Sequence, residues 1–458
     1  MTEEQIKNIG FEELLDLGSF ACDCGKVHEQ GVKKVVIESG AIRRLPEMLR
    51  EIGAEKPFLL SGHDTFAAAG KAVCDALAAE EIPYSQYVFP VSPVKPTEYT
   101  VGSALMHFDY SCDAIVGIGS GVINDTGKML ARATGMKYII VATAPSMDGF
   151  VSATSSMDRD GLRVSLNSTA AWGVIGDLDI LCNAPMHMLL SGVGDMLAKI
   201  TSIAEWEIAA LLVQEYYCPV IAALVKKALA RVTDNTDGLL RREPEAVRAV
   251  MEGLVIAGIA MNYAGMSRPA SGTEHYFSHI WDMRSLAFEE ARAELHGIQA
   301  GIGTLYTLKV FDLIRNGTIK PDAARAEKYV RGFDKESWNA QLRSFVGPGA
   351  EAMIAGEEKE HKYDLKKHAE RYPVIEQNWD RIREIVSELP ESGALEKLMR
   401  SIGFPVSAEV IGYSPENVKT TFTMTKDIRD KYIVTRLLWD LGALDAVDFT
   451  GETGYEIP

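Results

Sequence analysis

The sequence predicts two domains: an α/β N-terminal domain built on a parallel, doubly wound sheet, followed by an all-α C-terminal domain. Three observations carry that prediction. The chain has 458 residues, too long for one compact core and about right for two domains of roughly 150 to 250 residues each. From about Val32 to Asn183, short β-rich runs alternate with amphipathic stretches, the rhythm of parallel strands joined by helices. From Pro185 onward the β-rich runs almost vanish and long helical segments take over, which predicts a mostly helical second domain.

Taken in order, "VKKVVIES" reads as a strand and "AIRRLPEMLREIG" as the amphipathic helix after it. "PFLLSG" is the next strand, "TFAAAGKAVCDALAAE" the next helix and "YSQYVFP" a further strand. "DAIVGIGSG" is an apolar strand running into a glycine turn, "VINDTGKMLARATG" the helix that leaves it, and "YIIVATAPS" a strand ending in a polar loop. Beyond "CNAP", Cys182 to Pro185, come helical segments such as "MLAKITSIAEWEIAALLVQEYY" and "AEKYVRGF". The expected division is therefore residues 1–184 for the α/β domain and 185–458 for the helical one. No low-complexity linker or internal repeat interrupts the sequence.

Composition excludes several classes. A 47% hydrophobic and 24% charged chain is ordinary globular protein, and a net charge of -17 argues against nucleic acid or an anionic membrane as a partner. An anionic substrate would need a local positive site to overcome that field. The opening "MTEEQIKNIGFEELLDLG" carries acidic residues where a secretory signal has basic and then apolar ones, so a cytoplasmic location is expected. The longest nearly uncharged run, Gly253 to Ser267, is broken by Asn262 and is shorter than the roughly 20 residues of a membrane span. It reads as a buried core helix.

Six cysteines scattered from Cys22 to Cys218 read as reduced thiols, not a disulfide framework. The one cluster is "CDCGKVH". Cys22, Cys24 and His28 offer three donors, whereas a structural zinc site normally has four. With no second cysteine pair nearby, the segment reads as a surface turn.

The glycine turn carries chemistry of its own. Gly117, Gly119 and Gly121 follow the strand, and a helix begins about Val122, an arrangement that brings backbone N–H groups and a helix dipole to a pyrophosphate. The spacing departs from G-x-G-x-x-G, because Asn124 stands where the last glycine would be. A nucleotide cradle and a tight turn without a ligand both fit. The loop after the next strand offers Thr143, Ser146 and Ser152 at the carboxyl edge of the sheet, where open α/β sheets bind ligands. Asp148 beside Gly149 fits an Asx turn as well as a site residue.

The histidines raise a second question. The chain has nine, and "SGTEHYFSHIWDM" places His275 and His279 four residues apart behind Glu274. Ser271 and Glu274 have capping-box spacing, so a helix is expected to start there with both imidazoles on one face. His296, in "ELHGIQAGIGTL", stands where a helix starts or is interrupted, and Asp195 is placed near the N-terminus of another helix. A divalent-metal site and a set of hydrogen-bonded helix histidines both fit this spacing.

Together, "GIGSGVIND", "TAPSMDG", "GVGDMLAKITSIAEWE", "SRPASGTEHYFSH" and "LHGIQAGIGT" resemble the sn-glycerol-1-phosphate dehydrogenases, closest to their bacterial AraM-like branch, within the iron-containing alcohol dehydrogenase and dehydroquinate synthase superfamily. The resemblance runs from about Val32 into the C-terminal region, and "SRPASGTEH" is its most specific part. It implies that Asp195, His275 and His296 hold one divalent metal, zinc, nickel or iron, with His279 lining the substrate pocket. It implies NAD(H) or NADP(H) as cofactor, with Gly119, Ser120, Gly121, Val122 and Ile123 at the pyrophosphate. Thr143, Ala144, Pro145, Ser146 and Ser152 would hold the remainder, and Asp64 a ribose hydroxyl. Asp148 would contact substrate, and Arg268 and Lys199 are candidates to neutralise its phosphate, although Lys199 also has the spacing of a helix ion pair with Asp195. Ser120 replaces a glycine common in this loop of the family, which bears on cofactor preference.

The chemistry implied is reduction of dihydroxyacetone phosphate to sn-glycerol 1-phosphate, the metal stabilising the developing alkoxide while hydride reaches C2. A small phosphorylated ketone or alcohol is then the partner, and a homodimer the expected assembly. The competing readings are a glycerol or other polyol dehydrogenase, a dehydroquinate-synthase-like cyclase without net NADH turnover, and a catalytically silent NAD-binding protein. The full Asp195, His275 and His296 set argues against the last.

Overall fold

The computed structural model describes residues 1–159, 162–288 and 293–449. Ten strands are present among the described residues. β1 (Ser19–Ala21) and β2 (Val27–Glu29) form an antiparallel hairpin; β3 (Lys34–Glu38), β4 (Pro57–Gly62), β5 (Ser85–Phe89), β6 (Ala114–Gly119), β7 (Lys137–Ala142) and β10 (Gly173–Asp177) form the main sheet; and β8 (Thr154–Arg159) pairs with β9 (Leu162–Asn167). The main sheet is parallel throughout, in the order β3-β10-β7-β6-β4-β5. The expected α/β architecture is thus observed.

Pleating explains how the strands are covered on both faces. Leu59, Val116, Ile118, Ile139, Val141 and Ile175 pack with Leu45, Met48 and Leu49 of the Leu45–Ile52 helix and with Val73 and Leu77 of Lys71–Ala79. The alternate residues point the other way, where Tyr138 lies against the helix Gly121–Thr134: a Cβ on Gly127 of that helix would stand 2.4 Å from the tyrosine ring. β4 and β6 are buried at every residue, which is why they read as unbroken apolar runs. β10 was hidden from the strand reading by its two glycines. Gly173 has no room for a side chain, since a Cβ would lie 2.3 Å from Met48.

By contact the chain forms two compact units, Met1–Met196 with Cys218–Ser267, and Leu197–Tyr217 with the chain from Arg268 onward. The division is crossed three times, whereas the change of sequence rhythm places one boundary at 184. The difference lies in residues 185–196, most of the helix Met186–Leu197, and in the stretch 218–267 with its long helices Pro219–Asp234 and Pro244–Ala264, all of which belong by contact with the sheet-containing unit. Sequence periodicity identifies a helix but not the core it joins. Among the described residues, the regular structure of the second unit is helical.

The helix Pro244–Ala264 is longer than the apolar run within it, and by length and composition it passes as a membrane span. Of its most apolar window, 83% is buried inside the protein, as a core helix requires.

Candidate functional site

In the first unit the site residues gather at the carboxyl ends of β6 and β7. Ser120 caps the helix Gly121–Thr134, and the N–H of Thr143 donates to Gly119 O at 3.0 Å. The three glycines of the turn are there for different reasons. A Cβ on Gly117 would stand 2.3 Å from the Tyr138 hydroxyl, and one on Gly119 would stand 2.6 Å from Cβ of Ile123. Both are packing glycines. On Gly121 the nearest atom would be Met147 Cγ at 3.4 Å, an ordinary contact. Packing does not demand glycine there, and the backbone at the start of the helix stays open on that side. Ile123 itself is buried, so Ile123 offers a ligand its backbone only.

The hydroxyls expected to meet the cofactor also build the loop. Ser120 Oγ lies 2.5 Å from Ser146 Oγ, Ser191 Oγ donates to Ser146 O at 2.9 Å, and Ser152 Oγ lies 3.1 Å from Thr154 O. Ala144 is buried, and Gly192 lets Pro145 O approach so closely that a Cβ would meet it at 1.9 Å. Two residues that sequence reasoning missed complete the loop. Lys128, fully buried, donates to the carbonyls of Gly149 at 2.9 Å and Thr154 at 2.5 Å and pairs with Asp125 at 3.0 Å. Asn124, where a third fingerprint glycine was sought, donates to Gly149 O at 3.0 Å. A lysine in an amphipathic helix ordinarily reads as a solvated one, so Lys128 gave no signal.

Asp64 follows β4 and is well exposed, accepting from Ser92 Oγ at 2.5 Å. That hydrogen bond, followed by the one from His63, holds its carboxyl below the usual range. Asp195 requires a correction: it lies in the last turn of Met186–Leu197, not near a helix N-terminus. There the dipole disfavours a carboxylate, yet Asp195 is fully buried and accepts the N–H of Asp148 at 2.9 Å. A buried carboxylate at the negative end of a helix is chemistry that a cation would satisfy. Lys199 opens Lys199–Val213 directly after Ala198, which itself keeps right-handed helical angles (φ -54°, ψ -27°).

In the second unit the helix Thr273–Ala287 carries His275 and His279, and His296 is the first residue of His296–Arg315. The rings of His275 and His296 are 5.0 Å apart, and those of His279 and His296 6.1 Å. The Ser271–Glu274 capping box does not form. Gly272 is the N-cap, and the Glu274 carboxylate instead accepts from Gly272 N at 2.5 Å, Thr201 Oγ1 at 2.7 Å and His275 Nδ1 at 2.9 Å. Burial opposes ionisation of Glu274, but these donors, His275 foremost, bring its carboxyl below the usual range.

The contacts of His275 and His296 favour the same tautomer. A carboxylate can only accept, so the proton of His275 sits on Nδ1. At His296, Ser278 Oγ lies 2.8 Å from Nδ1 and donates its own hydrogen to Gln299 Oε1 at 2.6 Å; the hydroxyl therefore accepts from Nδ1–H. In both rings the lone pair is on Nε2, the form in which histidine ligates a metal.

Glu205 was also missed. Fully buried, it accepts from Thr273 N at 2.8 Å, Thr273 Oγ1 at 2.6 Å and Val434 N at 2.8 Å. Burial, reinforced by the charge of Glu274, pushes its carboxyl up to about 7. Lys199 donates to Ala270 O at 3.1 Å. Arg268 is buried and bidentate on Glu215, with Nε to Oε1 at 2.6 Å, and it also donates to Tyr432 O at 2.8 Å. Its charge is largely committed, which weakens it as a phosphate donor.

Comparison with known proteins places this arrangement. A family model for iron-containing alcohol dehydrogenases matches residues 36–185. A glycerol-1-phosphate dehydrogenase, NAD(P)+, of Bacillus licheniformis is 29% identical over 428 residues, covering 93% of each chain. The enzyme of that name from Hyperthermus butylicus is 33% identical over 275 residues, covering 60% of this chain and 76% of the relative. The chain belongs to the glycerol-1-phosphate dehydrogenase family. In fold, this family member is similar to a glycerol dehydrogenase of Schizosaccharomyces pombe, with a TM-score of 0.57 at 15% identity over 91% of this chain and 89% of that one. A probable glycerol dehydrogenase of Sinorhizobium meliloti 1021 gives 0.59 at 16% identity over 92% and 98%. At such identities the likeness is one of architecture, and the family assignment rests on the sequence relatives.

Proposed function

We propose that the chain catalyses the reversible NAD(P)H-linked, metal-dependent reduction of dihydroxyacetone phosphate to sn-glycerol 1-phosphate. The observation that carries the chemistry is that Nδ1 of each imidazole is engaged, His275 by Glu274 at 2.9 Å and His296 by Ser278 at 2.8 Å, the contact pattern of a histidine that ligates through Nε2. Buried Asp195, at the negative end of its helix, completes a mixed carboxylate and imidazole donor set suited to zinc, nickel or iron. When bound, the metal supplies a Lewis acid for the ketone oxygen and the nicotinamide supplies hydride.

The chain's own residues do the rest. Glu274 and Ser278 orient the imidazoles, and the Asp148 N–H orients Asp195. In this reading Gly119 to Ile123 hold the pyrophosphate, with Gly121 giving access to the helix N-terminus. Thr143 to Ser146, Ser152 and Asp64 hold the remainder of NAD(P). Asp148 contacts substrate, Lys199 its phosphate, and His279 passes a proton to the substrate oxygen directly or through water. The sheet-containing part binds the dinucleotide and the helical part the substrate. The enzyme works as a cytoplasmic homodimer in this proposal; six cysteines with none in a disulfide among the described residues suit a reducing compartment.

The test is NAD(P)H oxidation with dihydroxyacetone phosphate, dihydroxyacetone and glyceraldehyde phosphate, with and without chelator. One charged contact to phosphate, from Lys199 at about 1.5 to 3 kcal/mol, gives the phosphorylated ketone a kcat/KM roughly 10- to 100-fold above dihydroxyacetone. Chelation should abolish the reaction and divalent metal restore it. Equal rates on both ketones would favour a polyol dehydrogenase, and a product that is only the 3-phosphate enantiomer would overturn the stereochemical assignment.

A further inference from the structure

The segment "CDCGKVH", expected to be a surface turn, is largely buried at Cys22 and His28 and acquires a fourth donor when the chain is folded. β1 and β2 pair Phe20 with His28 and Ala21 with Val27, so Cys22 and Cys24 fall in the turn between them. Cys22 N donates to Lys26 O at 2.9 Å and Gly25 N to Cys22 O at 2.9 Å, with Gly25 at φ 84°. That left-handed residue closes a turn tight enough to bring both cysteines and His28 to one side. Cys218, nearly two hundred residues on, is the N-cap of Pro219–Asp234. Its sulfur lies 3.6 Å from Cys22 Sγ and 3.6 Å from His28 Nε2, and Cys24 Sγ lies 3.3 Å from the same nitrogen. All four donor atoms fall within 4.8 Å of one another, and all belong to the first compact unit.

The geometry points to a structural zinc site, Cys3His, formed by Cys22, Cys24, His28 and Cys218 and separate from the proposed reaction centre. A tetrahedral zinc with Zn–S of ~2.3 Å and Zn–N of ~2.0 Å has S···S edges of ~3.8 Å and S···N edges of ~3.5 Å, close to the separations above. His28 is set for the role: its Nδ1 lies 2.7 Å from Tyr263 O, a carbonyl that can only accept, so Nδ1 carries the proton and Nε2, facing the sulfurs, carries the lone pair. Phe20 stands edge-on to both His28 and Tyr263, at 5.1 and 5.0 Å, and His28 and Cys218 are fully buried. The donor set, soft and closed, selects zinc over magnesium or calcium. Three thiols give up their protons on binding, and no redox step is involved. The sulfurs of Cys22 and Cys218 are too far apart for a disulfide, whose bond is ~2.05 Å. The ion would fasten the N-terminal hairpin to the start of Pro219–Asp234.

The test uses full-length protein prepared without a metal-binding tag. Elemental analysis of His275→Ala should still find one zinc per chain, and a thiol-specific mercurial should release one zinc from wild type into a chromogenic chelator. Growth with cobalt should give that variant the thiolate-to-cobalt charge-transfer bands and intense red-region absorption of a tetrahedral, sulfur-rich site. Cys218→Ser and the half-exposed Cys24→Ser should lose those bands and melt lower. A wild-type protein with no mercurial-releasable zinc and no thiolate–cobalt absorption would overturn the proposal, as would a Cys22–Cys218 disulfide in the native protein by mass spectrometry. These readouts come from wild type and from His275→Ala, so they hold even if the cysteine variants do not fold.

Discussion

Ser278 Oγ lies 2.8 Å from Nδ1 of His296 and donates its own hydrogen to Gln299 Oε1 at 2.6 Å, so this one hydroxyl favours Nε2 as the nitrogen of His296 that faces a metal. Ser278→Ala removes that control without removing a ligand. Outer partners of this kind are worth about 10- to 100-fold in metal affinity, and competition titration against a chromophoric chelator should show a loss of that size. His275→Ala and His296→Ala should lose the reaction-centre metal and most activity, whereas His361→Ala should lose neither. Unchanged metal affinity in Ser278→Ala would remove the hydroxyl from the site, and full metal content in His275→Ala would remove that ligand.

The glycine turn separates folding from binding. Gly121→Val has space for its Cβ beside Met147, so the protein should fold and melt near wild type while NAD(P)H affinity falls sharply and metal affinity does not. Gly119→Val meets Ile123 and should lower stability as well. Fluorescence titration and thermal melts distinguish the two. Wild-type cofactor affinity in Gly121→Val would place the pyrophosphate elsewhere.

Glu205 makes stability pH-dependent with a definite sign. Its carboxyl is raised from 4.5 to about 7 by burial and the neighbouring Glu274. Between those values the folded chain holds a proton that the unfolded chain has released, so stability falls as pH rises through this window, by roughly 3 kcal/mol from this group alone. Glu205→Gln keeps the shape and removes the titration. Denaturant melts at about pH 5 and about pH 8 should differ less in the variant than in wild type by that order; an equal difference in both would show that Glu205 stays ionised.

What could be read from the sequence follows from how local each signal is. The strand rhythm, the glycine turn and the His275 and His279 pair are set by neighbours a few residues apart, and each stands where expected. Asp195 was put at the wrong end of its helix because nothing in "SGVGDMLAKITSIAEW" shows that the helix has already begun at Met186. The fourth donor of the cysteine cluster, Cys218, is 190 residues from His28, a pairing no spacing rule contains. Lys128, Glu205 and the Arg268–Glu215 pair were invisible for a related reason: charged residues are assumed to be solvated, and only tertiary contacts show that they are buried.

Arg268 should behave as a structural residue. Its bidentate partner Glu215 is about a quarter exposed, so removing the guanidinium should cost less than the ~3 to 5 kcal/mol of a fully buried pair, about 1 to 3 kcal/mol. Arg268→Ala should melt lower and lose activity on phosphorylated and unphosphorylated ketones alike. A selective loss on the phosphorylated ketone with an unchanged melt would instead make Arg268 a phosphate contact.

The threefold crossing between compact units also orders events at the ribosome. A nascent chain released at residue 196 would carry the whole parallel sheet but lack Pro219–Asp234 and Pro244–Ala264, which belong to the same unit. That unit cannot close its core until about residue 267 has emerged, and residues 197–217, which interrupt it in sequence, must wait longer for partners that begin at Arg268. The protein therefore offers no cut in the chain that yields either half intact, and a chaperone meeting it during synthesis would find apolar surface exposed across most of its length.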